Sequence, residues 1–183
     1  MKPLLLRLAV CSIAFLPLAA PRAAEDPAAI QARLTEMSPG SQVACHADKY
    51  GNPDCKVDDF RVDYSGCDVE YGAVAVKGGV DLQDNINNRG GQTAHLHDRQ
   101  FVCIAARARD SHDKYRYYVI APPTAVVPDC KGKSICRDGD QPILWLGPYT
   151  GKMCDRTKAG EYIGDCASGW VDQGVLDEYS NGI

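Results

Sequence analysis

RQFVCIAARARDSHDKYRYYVIA, residues 99–121, decides the fold. Two strand-like runs, 99–109 and 114–121, flank the polar tetrapeptide Asp110-Ser111-His112-Asp113, and the second run stops at Pro122-Pro123. Residues rich in β-branched and aromatic side chains on either side of a short polar loop predict a β-hairpin. Outward from it, Phe60, Val62 and Tyr64 alternate with Arg61 and Asp63. Cys67, Val69, Tyr71 and Ala73 alternate with Asp68 and Glu70. A period of two marks half-buried strands. Further short apolar segments, 143–147, 161–164 and 169–176, lie between Gly, Pro and Cys. The Gly51-Asn52-Pro53-Asp54 cluster reads as a turn, and the Gly-, Asn- and Asp-rich stretch 78–92 reads as a long surface loop.

One helix is expected. Asp26 is placed to cap it, Pro27 fits its first position, and Ile30, Leu34 and Met37 share a face before Ser38-Pro39-Gly40 ends it, giving a helix over 27–37. Its simplest role is to lie over a face of the following sheet. The fold class is therefore mainly β, a small antiparallel barrel or sandwich with one short N-terminal helix, in a single domain over 25–183.

Residues 1–24, MKPLLLRLAVCSIAFLPLAAPRAA, read as a secretory signal peptide: Lys2 and Arg7 precede an apolar run of about 13 residues, too short to span a bilayer. Removing Lys2, Arg7 and Arg22 from the 20 basic residues leaves 17 against 24 acidic ones, a net charge of about −7. Such a surface repels phosphate backbones, so nucleic acid is excluded as a general partner. Processing also removes Cys11 and leaves an even set: Cys45, Cys55, Cys67, Cys103, Cys130, Cys136, Cys154 and Cys166. An even count in an exported chain predicts four disulfides and a periplasmic or secreted location. Eight cysteines allow 105 pairings and the sequence alone does not choose among them; the cheapest set joins sequence-near partners, Cys130 to Cys136 and Cys154 to Cys166 as local loops, Cys45 to Cys55, and Cys67 to Cys103 between two strands. The C-x2-C spacing of a zinc cluster does not occur.

Chemistry is harder to find. His95 and His97, at i and i+2 on a strand, project from one face and offer half of a metal site, or else are two polar residues where a loop enters the strand. His112, at the hairpin turn, is too far along the chain to join them. Asp81, Asp84, Asn85, Asn87 and Asn88 supply oxygens of the kind calcium takes, but outside an EF-hand register; solvated turns use the same residues. No G-x-S-x-G elbow is present, and paired cysteines leave no thiolate. Asp54, Asp58, Asp59, Asp63 and Glu70 supply carboxylates for glycoside hydrolysis, or form an ordinary acidic surface.

Binding is the remaining reading. Tyr115, Tyr117 and Tyr118 interleave with Lys114 and Arg116, and Arg107 and Arg109 lie on the partner strand, a composition shared by contact surfaces and by a core-facing tyrosine row with a solvated basic face. Acidic charge gathers at 54–70 and basic charge at 107–116 and 131–137, an asymmetry suited to an oppositely charged partner.

The stretch GWVDQGVL, residues 169–176, resembles the closing segment of bacterial SH3-like domains. The resemblance implies that Gly169, Trp170, Val171 and Leu176 form a last strand with a short helical turn, and that the protein binds cell-wall or peptide ligands. Together these readings predict an exported, cofactor-free binding protein of inhibitor, immunity or envelope-binding type, contacting a protein or cell-envelope ligand. The alternative is a small secreted hydrolase, metal-assisted through His95 and His97.

Overall fold

A computed structural model describes residues 26–179; the expected signal peptide lies outside these residues. The hairpin is formed by β7 (Phe101–Arg109) and β8 (Tyr115–Ala121), paired antiparallel from Cys103 opposite Ile120 to Arg109 opposite Tyr115. Asp110 closes its turn: the carboxylate accepts the amides of His112 at 2.8 Å and Lys114 at 2.9 Å. These bonds, the Lys114 one foremost, hold the Asp110 carboxyl below its ordinary range.

Residues 101–106 of β7 are all buried. A strand covered on both faces cannot alternate in polarity, which is why FVCIAA reads as an unbroken apolar run. One edge of β7 pairs with β8. The other pairs with β4 (Tyr71–Val74) along its first part and with β3 (Phe60–Tyr64) along its second. Between them, the amides of Ser65 and Gly66 both donate to the Ala105 carbonyl.

The remaining strands extend this centre. β1 (Val43–Ala47) and β2 (Pro53–Val57) form a hairpin beyond β3, with Cys45 directly opposite Cys55. On the far side of β8 come β12 (Ala167–Asp172), β5 (Val80–Gln83), β6 (Gln92–Leu96) and the two-residue β9 (Leu144–Trp145). A separate pair joins β10 (Asp155–Arg156) to β11 (Tyr162–Ile163). After β12 a single 3-10 turn, Gln173–Val175, leads into β13 (Leu176–Glu178), which pairs with β4 at the opposite end of the central strands. The sheet therefore folds over on itself in the manner of a sandwich and does not close into a barrel. Its inner layer holds Leu82, Leu96, Val102, Ile104, Tyr117 and Val119.

Two expectations change. The stretch 78–92 is not a long loop: Val80 and Leu82 face inward, Leu82 completely, and form β5, so only 84–91 is irregular before β6 returns. The strand expected from Cys67 begins at Tyr71, because Cys67 is tied to Cys103 and the Asp68 side chain turns outward to Arg156.

The helix α1 (Pro27–Met37) lies where expected, over the outer face of the sheet. The Asp26 side chain accepts the Ala28 amide at 3.1 Å, and Ile30 and Leu34 are buried against Val57, Val62 and Trp170. The four disulfides join Cys45 to Cys55, Cys67 to Cys103, Cys130 to Cys136 and Cys154 to Cys166, with Cα separations of 4.1, 5.2, 5.6 and 4.7 Å. Four bridges in one chain belong to an oxidising compartment. No helix among the described residues is long and apolar enough to cross a membrane.

Candidate functional site

The structure disperses the tyrosine and arginine set. Neighbours on a strand point to opposite faces, so Tyr117 enters the inner core while Arg116 and Tyr118 turn the other way. The Arg107 guanidinium stacks 5.0 Å from the centre of the Tyr117 ring and pairs with Glu70 at 2.5 Å and Glu178 at 2.7 Å. Glu178 also accepts the Tyr117 hydroxyl at 2.9 Å. Burial first, then this bond, push the Tyr117 phenol far above its ordinary range. Arg116 is only 5% exposed. It reaches Asp172 at 2.9 Å, Asn88 at 2.6 Å and the Ile86 carbonyl, because the 84–91 tip folds across it. Tyr118 packs edge-on against Trp170. Only Tyr115 and Arg109, with its Asp113 partner, stay at the exposed end of the hairpin.

His95 and His97 do come together, their rings edge to face with centres 5.3 Å apart. The Nδ1 of His95 lies 2.6 Å from an Asp81 carboxylate oxygen, whose other oxygen accepts the Gln92 amide. His112 stands exposed at the hairpin turn. The side chains of the 85–88 tip are taken up by neighbours: Asn85 donates to the Pro39 carbonyl and the Ser41 hydroxyl while its oxygen accepts the Asn87 backbone amide, Asn87 donates to Asp58, and the Asn88 oxygen accepts Arg116. Among the described residues, no group of three or more His, Cys, Asp or Glu side chains is positioned to hold a metal ion.

The most conspicuous surface lies elsewhere, in residues 141–166. Leu144, Leu146, Tyr149, Met153 and Ile163 are exposed there, Tyr149 at 60% and Met153 at 84%. An open groove of about 510 Å³ runs beside them, lined by Ile143, Trp145, Tyr149 and Met153, with Pro122 and Pro123 along one wall. Trp145 and Tyr149 stack nearly parallel, ring centres 5.4 Å apart. A second hollow, of about 500 Å³, lies on the other side of Trp145, so the indole forms the ridge between two depressions. Large apolar side chains left exposed on one segment mark contact sites.

The chain here has little regular structure, and three devices hold it. β9 adds to the edge of β6, and the amides of Leu146 and Gly147 both donate to the Thr93 carbonyl. The Cys154–Cys166 bridge fixes the base of the loop. The Asp165 carboxylate accepts the Thr150 amide and hydroxyl, both at 3.0 Å. Lost hydration pushes the Asp165 carboxyl up, but these Thr150 bonds overcome it and hold the group below its ordinary range. In the sequence ILWLG and EYIG are no more than short apolar segments, and their composition does not tell a covered strand from an exposed one. Pro142, Gly147, Pro148 and Gly151 were the signal that these segments are too interrupted to be covered by a neighbour.

Comparison with models of protein families, with characterised proteins and with solved structures finds no match to this chain.

Proposed function

We propose that this protein is an exported binding protein of inhibitor, immunity or envelope-binding type, and that it engages a protein partner through the groove beside Trp145 and Tyr149. One observation carries the reading: Tyr149 and Met153 stand exposed at one groove, beside the partly buried Ile143 and Trp145, on a disulfide-anchored segment whose Leu144, Leu146 and Ile163 are exposed as well. Aromatic and methionine side chains are enriched at contact surfaces, and a covalently held surface loses less entropy on association. Peptide binding is also the role implied by the likeness of 169–176 to SH3-like domains. Replacing Tyr149 and Met153 together, as Tyr149→Ala and Met153→Ser, weakens partner binding by about tenfold or more, the loss of one central anchor. Their exposure means the melting temperature holds. A photo-crosslinking residue in place of Tyr149 captures the partner, and the same probe at Lys56 does not. Equal capture at both positions overturns the reading.

A second reading rests on the 2.6 Å contact between Asp81 and His95. A carboxylate on Nδ1 orients an imidazole for general-base chemistry or metal ligation, as a small hydrolase requires. Under it, the purified protein carries stoichiometric zinc that His97→Ala removes, or hydrolyses wall glycan or peptide substrate in a manner abolished by His95→Ala. Absence of both leaves the pair a structural contact.

A further inference from the structure

The loop Cys130–Cys136 carries a second surface that the groove beside Trp145 does not include. Lys131, Lys133 and Arg137 all rim an open depression of about 740 Å³ whose walls are Ala125, Val127 and Pro128. None of the three has a carboxylate partner among the described residues. The arginines of the strands differ, for Arg61, Arg107, Arg109, Arg116 and Arg156 each have an acidic partner. The cations are held on a fixed frame. The disulfide closes the loop, and both cysteines are buried in a cluster with Phe101, Cys103 and Val127. The amides of Lys131, Lys133 and Arg137 are each tied into turns, donating to Pro128, Cys130 and Ser134.

We propose that this depression binds an acidic, extended segment of a protein partner, its carboxylates meeting Lys131, Lys133 and Arg137 and a small apolar side chain resting on Ala125 and Pro128. Charge decides the kind of occupant. The molecule as a whole is acidic, at −4 for the full sequence. The three cations stand among Asp129, Asp138 and Asp140, of which Asp129 accepts the Tyr71 hydroxyl and Asp140 the Thr124 amide and hydroxyl; their attraction for an anion is therefore local, within about one Debye length, roughly 8 Å at physiological salt. A long polyanion or an anionic membrane plane would meet the repulsion of the acidic molecule over most of its contact area; a short acidic segment would not. The apolar wall adds a preference for side chains that a phosphate or sulfate group cannot satisfy. The two surfaces lie on either side of the 122–125 segment, and none of the residues lining one lines the other. The proposal therefore stands or falls separately from the Trp145 groove.

Fluorescence anisotropy of the full chain with two labelled peptides tests this, one of alternating Glu and Val and its counterpart with Gln in place of Glu. The acidic peptide binds at least about tenfold more tightly than the neutral one, and raising the salt weakens it severalfold. The triple variant Lys131→Glu, Lys133→Glu, Arg137→Glu removes the preference, Lys131→Arg with Lys133→Arg keeps it, and Tyr149→Ala leaves it unchanged. The neutral set Lys131→Gln, Lys133→Gln, Arg137→Gln serves in place of the charge reversal if that variant fails to fold. Equal affinity for the two peptides, loss of binding on Tyr149→Ala with the loop variants unaffected, or tighter association with phosphatidylglycerol vesicles than with the acidic peptide overturns the proposal.

Discussion

Replacing Trp170 by alanine lowers the unfolding free energy by about 3–5 kcal/mol, the range for removing a large aromatic side chain from a packed interior. The indole is completely buried, on the sheet face that receives Leu34 of α1, together with Val57, Val62, Ile86 and Ala106. It stacks edge-on against Tyr118 at 5.4 Å between centres, and its Nε1 donates to the Met37 carbonyl at 2.7 Å. That hydrogen bond satisfies one of the carbonyls that the end of α1 leaves without an intrahelical partner. Loss of the ring thus opens a cavity, strands a helix-terminal carbonyl and loosens the docking of α1 at once. For a domain whose whole stability is of the order of 5–15 kcal/mol, a large part is gone. Urea denaturation followed by circular dichroism measures it. Trp170→Phe separates the contributions, keeping most of the volume while losing the hydrogen bond, and costs about 1–3 kcal/mol. An alanine variant within 1 kcal/mol of the parent would mean that α1 is not anchored through this residue.

Removing the Cys67–Cys103 bridge has a comparable effect. It closes a loop of sequence separation 36, whereas Cys130–Cys136 closes one of 6. On the chain-entropy account the first restricts the unfolded state by about 4 kcal/mol and the second by about 2 kcal/mol. Cys103 is completely buried near the start of β7, the strand that β3, β4 and β8 all pair with. The bridge fixes the irregular segment between β3 and β4 to that strand. Cys67→Ala with Cys103→Ala should therefore melt well below Cys130→Ala with Cys136→Ala in parallel thermal scans. Equal losses would argue that local packing, and not loop closure, sets the contribution of each bridge.

Much of the architecture was legible because it is local. The hairpin 99–121 announces itself by two apolar runs around a turn that Asp110 can close with its own side chain, and α1 by a cap, a proline and one apolar face. Three of the cysteine pairs close loops of sequence separation 6 to 12, where the chain needs only a short excursion to bring two sulfurs together, and Cys67 and Cys103 are the two that remain. The β5–β6 hairpin was not legible, because arms of four and five residues, with Leu82, Ala94 and Leu96 as their fully buried side chains, carry too little pattern to stand out from the Asn and Asp between them.

The site divides along the same line. Strand periodicity places Arg116 on the face opposite Tyr117, but only the folding of residues 84–91 over β8 makes that face an interior one and gives the guanidinium Asp172, Asn88 and the Ile86 carbonyl as partners. Likewise Arg107 is a surface cation by sequence, and acquires Glu70 and Glu178 only when β4 and β13 come alongside β7. In the other direction, the apolar character of 144–163 does not say which side chains are covered, and Leu144, Leu146, Tyr149, Met153 and Ile163 end up outside while Trp145 packs partly against the core.

By itself the sequence determined what depends on near neighbours: the β character, the helix, the turn chemistry and an oxidised set of cysteines. Tertiary structure alone decided which faces are interior, which cations are neutralised and where apolar surface remains open to a partner. The physical reason is that periodicity records that a side chain alternates, whereas burial and ion pairing depend on what distant segments bring to the face it alternates onto.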